Sequence, residues 1–351
     1  NLHIKNATIW TSDNQGVIQN GDVVVTNGKF AAVGKGLDTP RGHLVIDGSG
    51  LHISPGIIDE HSHVAMTGGS NEATESNTAE VGTGDIVNPN DIYIYRTLAG
   101  GTTMAQILHG SANPIGGRAQ VVKWRWGDSA ENMKYEKAPG TIKFALGENV
   151  KQSNWGEDYV TRYPQTRLGV ETYIRDQFES AKRYMTQMAA YEKLSRSEKA
   201  RVAPPRKNYR LDTLVEILKS ERFIHVHSYV QSEILALMRL AESMDFKINT
   251  YTHILEGYKV ADEMAKHGAS ASTFADWWAY KYEVIDAIPQ NMCIMQERGV
   301  VVSLNSDDRD LIRRLNQEAA KAMTYCGMSA EDALKMVTIN PAKLLHLDDR
   351  T

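Results

Sequence analysis

Two histidines separated by one residue close an apolar run near the start of the chain, and they are the clearest sign of chemistry in it. The run covers residues 54–63 and ends in His61 and His63. Side chains alternate between the two faces of a β-strand, so Asp59, His61 and His63 would project from the same face. Two neighbouring imidazoles supply half of the ligands of a typical zinc site. Taken alone, the pair is also compatible with a surface strand.

Further apolar runs along the chain end in the same kinds of residue. They cover residues 141–149, 223–227, 248–253 and 300–308, and they end at or near Glu148, His227, His253 and Asp307. The stretches between them contain helix-like spacing of apolar residues, for example over residues 211–219 and 261–267. Alternating strands and helices predict a parallel sheet with crossover connections. If that sheet closes into a barrel, its strand-end residues meet around one mouth, which predicts a metal site there.

The composition excludes several classes of partner. The chain has 351 residues, of which 42% are hydrophobic and 23% charged, as in ordinary globular proteins. Its net charge of −4 argues against a nucleic-acid partner, and no apolar run is long enough to span a bilayer. We expect a small-molecule substrate, and a homo-oligomer is left open.

The only cysteines are Cys293 and Cys326, and neither lies in a metal-binding pattern. We expect both to be small apolar residues without a disulfide. So few cysteines favour a reducing, cytoplasmic setting but do not exclude export to the periplasm or beyond.

The order of the motifs resembles that of the amidohydrolase superfamily. Residues 56–63 resemble its first barrel strand, residues 100–103 its second strand and residues 338–343 its final helix. Residues 111–117 and 145–149 are similar to motifs of its imidazolonepropionase-related branch. The resemblance implies an α/β fold, a distorted TIM (β/α)8 barrel with a small N-terminal β-sandwich domain. It also implies one or two divalent metal ions, with Zn2+ as the default.

The implied reaction is hydrolysis of a C–N bond in an amide, a cyclic amide or a dipeptide-like molecule. A bound Zn2+ lowers the pKa of water from about 15.7 towards about 7, which supplies a nucleophile near neutral pH. A fold does not determine which bond is cut, so a deaminase or an esterase on the same scaffold is an alternative. A catalytically idle binding subunit is a further alternative, although the intact set of ligands argues against it.

Six metal ligands follow from the resemblance: His61, His63, Glu148, His227, His253 and Asp307. Asp307 would also be the catalytic general base, a role that contributes roughly 100- to 10,000-fold to a rate. Many binuclear relatives bridge their metals with a carboxylated lysine on the fourth strand, and we find no convincing lysine there. Glu148 is therefore predicted to be the bridging or anchoring ligand, as in the deacetylase-type branch.

Substrate contacts are predicted for four residues: His109, Arg118, Trp277 and Lys281. Trp277 and Lys281 belong to an aromatic segment after the seventh strand, which could form a pocket wall with one fixed charge or simply pack a loop. Arg118 could bind a substrate carboxylate through two parallel hydrogen bonds. His225, two residues before His227, is expected to be a hydrogen-bonded histidine of the core.

The domain boundary is placed just before the first histidine pair. Residues 1–53 contain short strands separated by turns, and Asn27-Gly28 is the strongest hairpin signal in the chain. We predict a small β domain over residues 1–53 and the hydrolase barrel over residues 54–351. Relatives normally add further strands to the small domain after the barrel, so we expect an open edge there that a missing piece or another chain completes.

Overall fold

A small sheet comes first in the computed structural model, which describes residues 1–151 and 162–349. Its five strands are β1 (Leu2–Trp10), β2 (Val17–Thr26), β3 (Lys29–Gly34), β4 (Leu44–Asp47) and β5 (His52–Ile53). The order is β3-β2-β1-β4, and β5 also pairs with β1. Asn27 and Gly28 both have positive φ, at 52° and 73°, so the predicted hairpin between β2 and β3 is confirmed.

Eight strands in chain order form the second sheet, which nearly closes into a barrel. They are β6 (Ile57–Ser62), β7 (Thr102–Ile107), β8 (Ile115–Lys123), β9 (Gly140–Ala145), β10 (Arg222–His227), β11 (Thr250–Thr252), β12 (Ser270–Thr273) and β13 (Val302–Leu304). The amide of Asp307 donates to the carbonyl of His61 over 3.1 Å, which joins the end of the last strand to the end of the first. The predicted distorted (β/α)8 barrel is therefore confirmed.

Helices surround this barrel and bury its outer face. They are α1 (Ile92–Ala99), α2 (Ala130–Met133), α3 (Arg167–Glu192), α4 (Arg196–Lys199), α5 (Tyr209–Leu218), α6 (Gln231–Ser243), α7 (Ala261–His267), α8 (Asn291–Glu297), α9 (Leu315–Cys326), α10 (Ala330–Lys335) and α11 (Ile339–Leu344). The long α3 is mostly polar but buries Ile174 and Phe178, and Phe178 stacks on Phe246 with ring centroids 4.0 Å apart. No helix in residues 1–151 or 162–349 is both long and apolar enough to cross a bilayer.

One strand runs against the others. β8 pairs in antiparallel fashion with both β7 and β9, so the prediction of a wholly parallel sheet is wrong here. Only residues 108–114 connect β7 to β8, which is too short for a crossover helix, so the chain returns directly in the opposite direction. As a result β8 begins at the mouth of the barrel instead of ending there.

A disulfide joins Cys293 on α8 to Cys326 at the end of α9, with their Cα atoms 6.4 Å apart. The expectation of two unbonded cysteines was therefore wrong. The residues are 33 positions apart in the chain, and only the packing of α8 against α9 brings them together.

Candidate metal centre

Ligand-type side chains from the ends of β6 and β13 meet at the mouth of the barrel. The Nε2 atoms of His61 and His63 lie 3.3 Å apart. Asp307 Oδ1 lies 3.4 Å from His61 Nε2 and 3.1 Å from His63 Nε2. Within the described part of the chain, these three residues form a group whose ligand atoms all lie within 4.8 Å of one another. Nitrogen and oxygen atoms that converge in this way can coordinate one cation.

Two more predicted histidines face the same space. The His253 ring lies 4.4 Å from the His61 ring and 4.8 Å from the His227 ring, centroid to centroid. Asp307 Oδ2 lies 3.7 Å from His253 Nδ1. Both ring nitrogens of His253 and Nδ1 of His63 are buried without a hydrogen-bond partner among the residues described. Buried polar atoms are nearly always paired, so these orphaned nitrogens fit a site built for a metal ion.

Electrostatics keep these rings neutral. Burial lowers the pKa of His61, His227 and His253 well below the ordinary value, and the positive charge of Lys143 lowers each of them further. A neutral imidazole offers a lone pair, which is the form that binds metals. The histidines are therefore ready to coordinate at neutral pH.

The fourth barrel strand carries a lysine that the sequence analysis missed. Lys143 lies on β9 with 1% of its surface exposed, and its Nζ is 3.1 Å from His61 Nε2. Burial lowers the pKa of Lys143 from 10.5 to about 8, although the charges of Asp307 and Glu60 act in the opposite direction. The prediction that this strand lacks a suitable lysine was wrong. The available signal was a lysine inside an apolar strand, where a charge is rarely buried without a partner or a function.

A buried carboxylate fixes the two strand ends that carry the ligands. Asp59 accepts hydrogen bonds from the backbone amides of His61, at 3.2 Å, and Ser306, at 3.0 Å. Burial raises the pKa of Asp59 to about 7, against the effect of these hydrogen bonds. Asp59 therefore ties the backbone of His61 to that of Ser306, the residue before Asp307.

The backbone is strained at two of the predicted ligands. His253 and Asp307 have φ angles of 40° and 45°, in the left-handed region. Such a conformation costs a non-glycine residue about 1–3 kcal/mol, and it is common at functional sites. Here it turns the chain directly after β11 and shortly after β13, where the side chains must point into the mouth.

The centre is buried on one side and open on the other. The side chains of His61 and His253 are each 1% exposed, whereas those of His63 and Asp307 are 25% and 27% exposed. A substrate and a water molecule would therefore approach from the side of His63 and Asp307.

Aromatic rings continue from the histidines into the mouth. Phe274 stacks on His253 with centroids 5.5 Å apart, and Trp277 stacks on Phe274 at 4.2 Å. Tyr229 packs edge-on against His227 at 4.7 Å. These rings place the predicted contact residue Trp277 one ring away from a histidine of the centre.

Lys281 and Glu148 meet at the same wall. Lys281 Nζ lies 2.9 Å from Glu148 Oε1, 3.2 Å from Glu283 Oε2 and 4.6 Å above the Tyr229 ring. Burial lowers the pKa of Lys281, but the hydrogen bond to Glu148 and the charge of Glu283 outweigh it and raise this pKa overall. Glu148 is thus placed in an ion pair at the mouth, and its role as a metal ligand stays a prediction.

The other two predicted contact residues have different surroundings. Nε2 of His109 accepts from the amide of Glu72 over 2.8 Å, and its Nδ1 donates to the carbonyl of Gly110 over 2.9 Å. With both nitrogens engaged, and a pKa that burial lowers to about 4, His109 is a neutral ring that holds the long loop after β6.

Arg118 donates to the carbonyl of Glu80 over 2.9 Å and lines a pocket with Gly140 and Arg222. Gly140 and Arg222 are the first residues of β9 and β10, so this pocket lies towards the end of these strands remote from His227. The structure therefore does not bring Arg118 to the histidines.

Comparison with known proteins assigns the chain to one family. A model described as "Amidohydrolase family" matches residues 52–351. The chain belongs to the amidohydrolase family. A crystal structure of an amidohydrolase from Thermotoga maritima MSB8 is 30% identical, with a TM-score of 0.88 over 99% of this chain and 90% of that one.

Relatives with curated names support this family membership. Amidohydrolase tasK of Hapsidospora irregularis is 25% identical over 99% of this chain, which spans 39% of the length of tasK. An allantoinase of Escherichia coli is 37% identical over 86 residues, which are 24% of this chain and 18% of the allantoinase. The chain therefore belongs to a family of hydrolases that typically use a divalent metal.

Proposed function

We propose that the protein is a metal-dependent amidohydrolase that cleaves a C–N bond in an amide, a cyclic amide or a dipeptide-like molecule. The observation that carries the proposal is the convergence of neutral, buried His61, His227 and His253 with the half-open pair His63 and Asp307. When bound, a divalent ion would polarise the scissile carbonyl and acidify the attacking water. The likeness to an allantoinase over 86 residues supports cyclic amides as one class to test.

Asp307 is proposed as the residue that moves the proton. Its carboxylate is 27% exposed and lies on the open side of the centre, with Oδ1 3.1 Å from His63 Nε2. It would take a proton from that water as the oxygen attacks the carbonyl carbon. It would then return the proton to the nitrogen as the C–N bond breaks, so that a carboxylic acid and an amine leave.

We further propose that Lys143, and not Glu148, supplies the bridging group on the fourth strand. The Lys143 amine lies 3.1 Å from His61 Nε2, and with a pKa of about 8 it is neutral in roughly a tenth of molecules at pH 7. Its lone pair can form an N–C bond to carbon dioxide, and loss of a proton from the nitrogen then leaves a carbamate. That anion would supply negative charge beside His61, which would offset the positive charge of bound divalent ions.

Metal analysis and a substrate screen together test the proposal. Purified protein should contain one or two divalent ions per chain, and it should release amine and carboxylate together from a panel of acyl-amino acids, dipeptides and cyclic ureides. Protein that binds no divalent ion with high affinity would contradict the proposal, and ammonia released without a new carboxylate would indicate deamination instead.

The choice between Lys143 and Glu148 has its own test. With 13C-labelled bicarbonate, the wild type and Glu148→Gln should show a carbamate carbon signal that Lys143→Met lacks. The second metal ion should also be lost in Lys143→Met only. Loss of an ion in Glu148→Gln with retention in Lys143→Met would assign the ligand to Glu148.

A further inference from the structure

A chain of buried hydrogen bonds runs beneath the metal centre, on the side away from the mouth. It contains Glu60 on β6, His225 on β10 and Thr252 on β11, and all three residues are completely buried. None of the three is one of the predicted metal ligands. A buried carboxylate is costly unless it is fully paired, so its presence in the barrel interior calls for an explanation.

The directions of these hydrogen bonds are fixed by the groups that make them. Thr252 Oγ1 lies 3.0 Å from Glu60 Oε2, and a carboxylate can only accept, so the hydroxyl proton points to Glu60. The same hydroxyl lies 3.2 Å from His61 Nδ1. Since its single proton is already used, Thr252 can only accept there, and His61 must carry its proton on Nδ1.

That choice of tautomer leaves the other nitrogen of His61 free to coordinate. Nε2 then has the lone pair, and it is the atom that lies 3.3 Å from His63 Nε2 and 3.1 Å from Lys143 Nζ. The opposite tautomer would place a proton on Nε2 and block it as a ligand. The hydroxyl of Thr252 therefore favours the tautomer in which His61 can coordinate through Nε2.

His225 donates a second hydrogen bond to the Glu60 carboxylate. Its Nδ1 lies 2.6 Å from Glu60 Oε1, and its Nε2 lies 3.4 Å from the amide nitrogen of the Asn249 side chain. A carboxylate can only accept, so the proton on His225 Nδ1 points to Glu60.

We infer that Glu60, Thr252 and His225 form a positioning relay that sets the tautomer of His61 and thereby the affinity of the centre for its metal. The inference rests on the proposed function, since it assigns His61 Nε2 as a ligand atom. Groups that orient a metal-binding histidine in this way are typically worth 10- to 100-fold in metal affinity or activity.

The test removes one hydroxyl and keeps the shape of the side chain. Thr252→Val loses the relay, Thr252→Ser retains its hydroxyl, and Thr250→Val removes a fully buried hydroxyl from the same strand without touching His61. Zn2+ affinity is measured for each protein by competition with a chromogenic chelator, and unfolding of the metal-free forms is measured in parallel.

We expect Thr252→Val to bind Zn2+ about 10- to 100-fold more weakly than the wild type, with Thr252→Ser and Thr250→Val within a few-fold of it. Equal Zn2+ affinity in the two valine variants would overturn the relay while leaving the proposed function in place. A wild type without Zn2+ affinity would instead overturn the proposed function.

A second readout does not depend on metal. In metal-free protein with 15N-labelled histidine, the His61 signals, assigned by their loss in His61→Asn, report which ring nitrogen carries the proton. The wild type should show an Nδ1-protonated ring. Thr252→Val should lower the Nδ1-protonated fraction, most clearly when it is combined with Lys143→Met, which removes the other donor to His61 Nε2. An Nε2-protonated His61 in the wild type would refute the inference.

Discussion

The buried Lys143 should make the metal-free protein more stable as the pH rises. Its pKa in the folded chain is about 8, against 10.5 for a lysine in water, so the unfolded chain binds the proton more tightly. Below about pH 8 both states are protonated, and folding carries the full penalty of about 3 kcal/mol. The penalty shrinks as the pH passes from the folded towards the unfolded pKa, and it is absent above both.

The change in the free energy of unfolding between two accessible pH values follows from the same two pKa values. From about pH 7 to about pH 9.5, the titration of Lys143 should add about 2 kcal/mol to the free energy of unfolding of the wild type. Lys143→Met has no such group, so this component of the pH dependence should vanish. Other titrating groups are common to both proteins, and the difference between the two profiles isolates the lysine.

The assay is urea unfolding across this pH range, on metal-free protein in bicarbonate-free buffer. Lys29→Met is the matched control, because Lys29 is exposed on β3 and its replacement should leave the profile parallel to that of the wild type. Parallel profiles for the wild type and Lys143→Met would refute the reasoning, as would a wild type that loses stability relative to the variant with rising pH.

Three further predictions concern the centre, its wall and the disulfide. Removal of metal by a chelator should abolish hydrolysis, and Zn2+ should restore it in the wild type but not in His61→Asn; activity that survives dialysis against chelator would speak against a metal-dependent reaction. Trp277→Ala should raise KM several-fold with little change in kcat, because Trp277 stacks on Phe274 in the mouth. Arg118→Ala should change neither constant, because the pocket that Arg118 lines lies at the other end of the strands. Cys293→Ser should lower the free energy of unfolding by about 3–4 kcal/mol, the loop-closure estimate for residues 33 apart. A thiol reductant should cause the same loss of stability in the wild type and no further loss in the variant.

The sequence predicted the fold and the histidine cluster well for a clear physical reason. Strand ends in a barrel share one rim, so His61, His227 and His253 could be expected to meet without any knowledge of the loops. The Asn27-Gly28 hairpin was equally local, because both residues accept a positive φ. Patterns of this kind depend on a few neighbouring residues and are therefore visible in the chain.

What the sequence did not reveal depends on contacts between distant segments. Lys143 is one charged residue in an apolar strand, and only the closed barrel shows that its amine lies beside His61. The Cys293–Cys326 bond likewise depends on how two helices pack. The reversed β8 could have been anticipated, since a connection of residues 108–114 leaves no room for a helix.

The left-handed conformations of His253 and Asp307 restrict what evolution can place at these two positions. Aspartate, asparagine, histidine and glycine adopt such a backbone most readily. Aspartate and histidine are common metal ligands, and asparagine has nearly the same shape as aspartate. A descendant that no longer needed catalysis would accept few replacements there and would tend to keep residues that resemble a working centre. Sequence conservation at these positions would then overstate how many homologues are still active.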